Sequence, residues 1–236
     1  NAIGALCEAT GADVREVSRA IGADSRIGSK FLDAGPGFGG SCFKKDILNL
    51  VYLCEYFGLD EVAKFWESVV SLNNWHQTRI AKLITKKLYG TISGKRIVIL
   101  GFSFKSNTND TRESAAIQIC KDLLDEGAIL FINDPKVNKK QITLDLGMEP
   151  RSNLGNCDTV INDKGCWLFA EDINDSLYDA DAIVILTEWP EYKNINWDLA
   201  EERMRKPAWI FDSRSLINPE NIKNNSFNFW RIGDGS

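Results

Sequence analysis

A short apolar run, Arg96-Ile97-Val98-Ile99-Leu100, closes on Gly101 and restricts the folds open to this chain. A run of that length, rich in β-branched residues and apolar on both faces, reads as a parallel strand buried from both sides. Such a strand needs helices over each face of its sheet, and the downstream pattern supplies them. A helix is predicted from about Ser114 to Glu126, then a strand over Ile129–Pro135. A helix ending near Tyr178 precedes a third strand at Ala182–Leu186, a fourth follows at Trp209–Asp212, and Phe227–Ile232 reads as an edge strand. Strands alternating with helices imply a doubly wound parallel sheet.

The period changes at Gly90-Thr91-Ile92-Ser93-Gly94, and everything before it reads as helical. Asn1 to Thr10 resembles the end of a helix already under way. Gly11-Ala12-Asp13 breaks it, and Asp13 can cap a second helix with Val14, Val17 and Ile21 on one face. A helix from about Lys45 to Tyr56 turns Ile47, Leu48, Val51 and Cys54 inward and ends at Gly58. From Asp60 to about Leu88 a pattern continues through Val62, Phe65, Val69, Leu72, Ile80, Leu83 and Leu88. A helix that long packs against a partner or spans two domains. The expected fold class is therefore α/β: an all-helical region over 1–90, suited to dimerisation, followed by a Rossmann-like parallel-sheet domain over 91–236.

Composition narrows the function. The 236 residues are 44% hydrophobic and 26% charged, an ordinary globular balance. A net charge of −5 with no basic run argues against a nucleic-acid partner. No apolar stretch approaches the roughly 18 residues that cross a bilayer, and no signal peptide opens the sequence. Six scattered cysteines without a CxxC pair suit free thiols in a reducing, cytoplasmic setting. A single histidine, His76, leaves little for a multi-histidine metal centre; mid-helix, it reads as structural or exposed.

Two loops could carry chemistry. Gly35-Pro36-Gly37-Phe38-Gly39-Gly40-Ser41-Cys42 runs into Phe43-Lys44-Lys45-Asp46 and the helix beyond. Glycines allow backbone to approach a ligand closely, and a thiolate is favoured at a helix start beside lysines. Cys42 is thus a candidate nucleophile, against the common fate of a small buried residue. Asp46 lies one turn beyond it, either sharing its cleft or simply favoured by the helix dipole. The second loop, Gly101 to Ser114, follows the first strand, where ligands of open α/β sheets bind. It has one glycine instead of GxGxxG, so a dinucleotide pyrophosphate could not lie there in the usual way. Lys105 and Arg112 could meet phosphate as side-chain charges or form a solvated pair. Arg214, just past Asp212 at the fourth strand's end, is in ligand-binding position or makes a structural ion pair.

Phe31-Leu32-Asp33-Ala34-Gly35 through Cys42 to Asp46 closely resembles the catalytic-cysteine motif of the UDP-glucose 6-dehydrogenases. So do Asn49–Glu55, Gly101–Ser114 and Phe211-Asp212-Ser213-Arg214, and the likeness begins at Ala5–Val14. The resemblance implies a four-electron oxidation of UDP-glucose to UDP-glucuronate with NAD as hydride acceptor, in a homodimer or higher homo-oligomer. It implies that Cys42 attacks the aldehyde-level intermediate, that the thiohemiacetal becomes a thioester which water releases as the acid, and that Asp46 assists a water or a neighbouring base. Phe31, Leu32, Asp33, Gly35, Phe38 and Gly39 match the loop against the sugar nucleotide, Phe104 and Lys105 its nucleotide contacts, and Arg214 a substrate arginine. Arg26 matches an arginine reaching a neighbouring subunit's substrate, and Lys45 and Arg112 match positions near NAD. Asp33 departs from the lysine expected in animal enzymes. The family's N-terminal GxGxxG domain has no counterpart in these residues, so the chain alone is expected to be inactive. A sister dehydrogenase of GDP-mannose or a UDP-N-acetylhexosamine, or a non-catalytic nucleotide-sugar-binding module, are the alternatives.

Overall fold

The computed structural model describes residues 1–152 and 164–235. Four helices come first: α1 (Ala2–Thr10), α2 (Val14–Gly22), α3 (Phe43–Tyr56) and α4 (Asp60–Lys87). The sheet follows as β1 (Arg96–Leu100), α5 (Ala115–Asp125), β2 (Ile129–Asn133), α6 (Lys139–Leu146), β3 (Cys166–Phe169), α7 (Ile173–Ser176), β4 (Ala182–Ile185), α8 (Trp197–Arg203), β5 (Trp209–Asp212) and β6 (Asn228–Arg231). All strand pairs are parallel, in the order β3-β2-β1-β4-β5-β6. This is the doubly wound order in which the chain reverses direction beside β1 and opens a crevice at the strand carboxyl ends.

Alternation along the strands divides the core. Ile97, Ile99, Leu130, Ile132 and Val184 face one layer with Ile119 and Leu123 of α5 and Ile80 and Ile84 of α4. Val98, Leu100, Ile183, Ile185 and Ile210 face the other, with Trp189, Tyr192 and Trp197. At 28 residues α4 is about 42 Å long. Its C-terminal half enters the sheet's core while its N-terminal half carries α3. The chain also returns from β6 to its start: Glu8 accepts the Gly233 N–H at 2.8 Å and a two-pronged ion pair from Arg79.

Several expectations are corrected. Leu48 is exposed on α3, while Ile47 and Cys54 are buried. On α4, whose apolar pattern left its direction open, Val62, Phe65 and Leu72 point outward and Ile80 and Leu88 are buried. The apolar stripe of the first half of α4 thus lies opposite the side that meets the rest of the chain. β3, α6 and α8 were not foreseen, and the helix ending near Tyr178 is a single turn. The all-free-thiol expectation fails at Cys166, which is disulfide-bonded; Cys7, Cys42, Cys54 and Cys120 are free. Cys157 lies outside the described residues.

Candidate active site

The glycine loop lies between α4 and the β1–α5 loop, and its glycines are what let it fit. Gly37 has φ 137°, and a Cβ there would stand 2.9 Å from Asn73 Oδ1 on α4. On the other side, a Cβ on Gly39 would stand 2.4 Å from the Glu113 carbonyl oxygen, and the Gly40 N–H donates to the Arg112 carbonyl at 2.8 Å. No other residue could pass so close to backbone on one side and a helix on the other.

A cleft of about 680 Å³ opens beside this loop. It gathers six of the sequence-predicted residues: Phe31, Leu32, Asp33, Gly35, Phe38 and Arg214. Phe31 is fully exposed and holds a left-handed backbone, φ 63°. Phe43 also lines the cleft, edge-on to Phe38 with ring centroids 4.6 Å apart. Cys42, immediately before Phe43, is exposed at the N-terminus of α3. Ser41 Oγ lies 3.5 Å from its sulfur.

Arg214 reaches the cleft because Asp212 shapes the turn after β5. Buried Asp212 accepts the backbone N–H groups of Arg214 and Ile217, and burial pushes its carboxyl up despite those bonds. The Arg214 guanidinium donates to the Leu186 and Phe104 carbonyls, pairs with Glu188 at 3.1 Å, and faces Gly35. Burial lowers its pKa, and Glu188 opposes that shift. Arginine keeps its charge under such conditions, so this is a partly buried, fixed cation.

The β1–α5 loop is joined to the same site. The Phe104 ring packs against Gly40, and Lys105 Nζ lies 5.3 Å from the ring centroid. Its first amides are occupied from within the protein. Asp134, at the end of β2, accepts the Phe102 and Ser103 N–H groups, the Ser103 hydroxyl and the Trp189 indole N–H. A carboxylate therefore stands where a dinucleotide turn would offer amides to pyrophosphate, and the β1 turn does not fit NAD.

The remaining sequence-predicted residues do not join the cleft. Arg26 is highly exposed and chelates its neighbour Asp24. Lys45 and Asp46 are exposed on the first turn of α3, so a buried Asp46 is not found; its N–H donates to the Cys42 carbonyl. Arg112 is exposed and bidentate to Asp110, which raises its pKa, with Cys42 a smaller influence in the same direction. The lysine that bridges the two loops is Lys44, paired with Glu113 at 2.7 Å. Sequence reasoning missed Asn73 and Asp134. Asp134 was findable, as a carboxylate at the carboxyl end of a core strand. Among the described residues no cluster of three or more His, Cys, Asp or Glu could hold a metal.

A parallel sheet with a crevice at its strand carboxyl ends, a fixed arginine and an exposed helix-start thiol define a doubly wound, Rossmann-like α/β protein. The chain belongs to the UDP-glucose/GDP-mannose dehydrogenase family: residues 1–75 match its central domain and residues 98–219 its UDP-binding domain. It is 49% identical over 217 residues to UDP-glucose 6-dehydrogenase of Gallus gallus, covering 92% of this chain and 43% of the relative. It is 44% identical over 244 residues to UDP-glucose 6-dehydrogenase 4 of Arabidopsis thaliana, covering 99% of this chain and 49% of that one. A solved UDP-glucose dehydrogenase from Pyrobaculum islandicum superposes with a TM-score of 0.75 at 26% identity, over 100% of this chain and 47% of that structure. The chain spans about half the length of the curated relatives it matches.

Proposed function

We propose that this chain supplies the nucleotide-sugar side and the nucleophile of a UDP-glucose 6-dehydrogenase, which oxidises UDP-glucose to UDP-glucuronate. The observation that carries the reading is the convergence of Arg214 and the Phe31–Phe38 loop on one cleft, with the Cys42 thiol exposed beside it. In this reading Phe104, Lys105 and Arg214 hold the UDP, and Phe31, Leu32, Asp33, Gly35, Phe38 and Gly39 lie along the sugar nucleotide. Arg26, outside the cleft, serves a neighbouring subunit's substrate. The Cys42 thiolate adds to the aldehyde carbon and so holds the intermediate as a thiohemiacetal. Once that carbon reaches the thioester level, water assisted by Asp46 releases the acid and restores the thiol.

NAD is the hydride acceptor the family implies. Since the β1 turn is occupied by Asp134, this chain's part toward the cofactor is confined to Lys45 and Arg112, both exposed near Cys42. The 236 residues alone are therefore not expected to reduce NAD⁺. We divide the chain at Gly90–Gly94 into a helical region, 1–90, and a UDP-sugar domain, 91–236. The exposed Tyr52, Tyr56, Phe57, Phe65 and Trp75 make α3 and α4 an apolar face too broad for an isolated surface, and a second copy of the chain is its occupant. A cytoplasmic protein completes the reading; among the described residues no helix is long and apolar enough to cross a membrane.

Turnover by the longer protein containing this chain tests the substrate. UDP-glucose should be oxidised in preference to GDP-mannose and UDP-N-acetylhexosamines, and preference for either of the others would overturn the assignment.

A further inference from the structure

Beside the small buried apolar residues Ala63 and Val70, α4 buries three polar side chains near its middle while larger apolar ones stay exposed. Its apolar Phe65, Leu72 and Trp75 are exposed, while Asn73, His76 and Gln77 are more than nine-tenths buried. Burying amides and an imidazole costs free energy unless their hydrogen bonds return it, and a plain packing face would use apolar side chains. The bonds these residues make all go to one place. Asn73 Oδ1 accepts the Phe38 N–H at 2.9 Å, and Asn73 Nδ2 donates to the Phe38 carbonyl at 3.2 Å. His76 Nε2 lies 2.8 Å from the Gly35 carbonyl oxygen. A carbonyl only accepts, so Nε2 carries the proton, and Nδ1 is buried with no partner among the described residues. Gly37, between the two anchored residues, lies flat against Asn73 and Gln77.

The anchored residues are cleft residues. Gly35 and Phe38 both line it, and a Cβ on Gly35 would stand 3.3 Å from Arg214 Nη1. The backbone facing the fixed cation is thus held from behind by α4.

We propose that Asn73 and His76 are positioning residues, which hold Gly35–Phe38 in the backbone shape that receives the sugar nucleotide opposite Arg214. The inference rests on the reading of this cleft as the UDP-sugar site. Burial also pushes the His76 pKa down to about 4, so the ring stays neutral and keeps its single donated bond near neutral pH. Loop closure against Glu113 alone would not fix this segment, because that contact begins only at Gly39.

His76 is the only histidine, so its ring resonances need no assignment by mutation. In the 15N-labelled chain we expect the neutral Nε2–H tautomer, with ring signals that move as UDP-glucose is added. By calorimetry, His76→Leu and Asn73→Leu should each weaken UDP-glucose binding about tenfold, the loss of a buried hydrogen bond. UDP, held from Phe104, Lys105 and Arg214, to none of which Asn73 or His76 bonds, should lose less than about threefold, and His76→Gln, which keeps an N–H donor, should retain most UDP-glucose affinity. Unfolding midpoints identify any variant that fails to fold; the tautomer and ligand-shift measurements need no variant at all. An Nδ1–H tautomer, or folded Leu variants that bind UDP-glucose as tightly as the unsubstituted chain, would overturn the inference while leaving the function standing. An unsubstituted chain that binds neither ligand would overturn both.

Discussion

Asp134 Oδ2 accepts the Phe102 backbone N–H at 2.7 Å, and that bond converts a dinucleotide-type turn into a closed one. The carboxylate is buried, and its other oxygen takes the N–H groups of Lys136 and Val137. The protein's own anion occupies the position of a ligand's phosphate, and the loop beyond is free to present Phe104 and Lys105.

Removing that anion exposes what it satisfies. Asp134→Ala leaves the Phe102, Ser103 and Trp189 donors buried without partners, each worth about 1–3 kcal/mol. Urea unfolding should show a loss of at least about 3 kcal/mol. A loss under about 1 kcal/mol would mean that water or relaxation replaces the carboxylate.

Gly39→Ala tests the close approach of the two loops. The added methyl would meet the Glu113 carbonyl at 2.4 Å, and Glu113 already has a left-handed backbone at φ 54°, with little room to yield. The expected cost is about 1–3 kcal/mol of stability, with weakened UDP-glucose binding measured by calorimetry. Unchanged binding would place the contact outside the ligand's path.

Acid sensitivity follows from His76. Burial is the main cause of its low pKa of about 4, the Gly35 bond opposes it, and Arg79 and Glu8 act on it at longer range. An unfolded histidine protonates near 6.5, so between about pH 6.5 and 4 the unfolded chain binds more protons and the fold loses stability. Above that window His76 contributes nothing to the pH dependence. Complete, the effect is about 3 kcal/mol. The drop in unfolding free energy from about pH 7 to pH 4.5 should be smaller in His76→Gln than in the unsubstituted chain. Equal drops would contradict a buried neutral ring.

Phe65→Glu should abolish self-association. Phe65 is 61% exposed on α4, so a charge there costs the folded monomer little. Sedimentation velocity should show a dimer for the unsubstituted chain and a monomer for the variant, with unchanged circular dichroism. A monomeric unsubstituted chain would remove the second copy as occupant of this face.

The sheet was legible wherever strands are continuous apolar runs, as at Ile97–Leu100 and Ala182–Ile185. Cys166–Phe169 escaped because four residues at a sheet edge carry neither a long run nor alternation. The glycine loop announced itself by composition, and Cys42 by its place at a helix start. The direction of the α4 face was left open by the sequence for a physical reason. Helical periodicity shows that one face is apolar, but whether that face turns toward the core or a partner depends on contacts remote in sequence. Asn73 and His76 are recognised through bonds to residues 35 and 41 positions away, which no local pattern records.

The central claim is that Cys42 carries the covalent intermediate. The most direct measurement is UDP-glucuronate formed from UDP-glucose and NAD⁺ by the longer protein bearing Cys42→Ser, alongside its UDP-glucose affinity. We expect unchanged affinity and acid formation reduced by at least about a thousandfold, because a hydroxyl at that position lacks the thiolate's nucleophilicity. Acid formation within a few-fold of the unsubstituted protein would contradict the account.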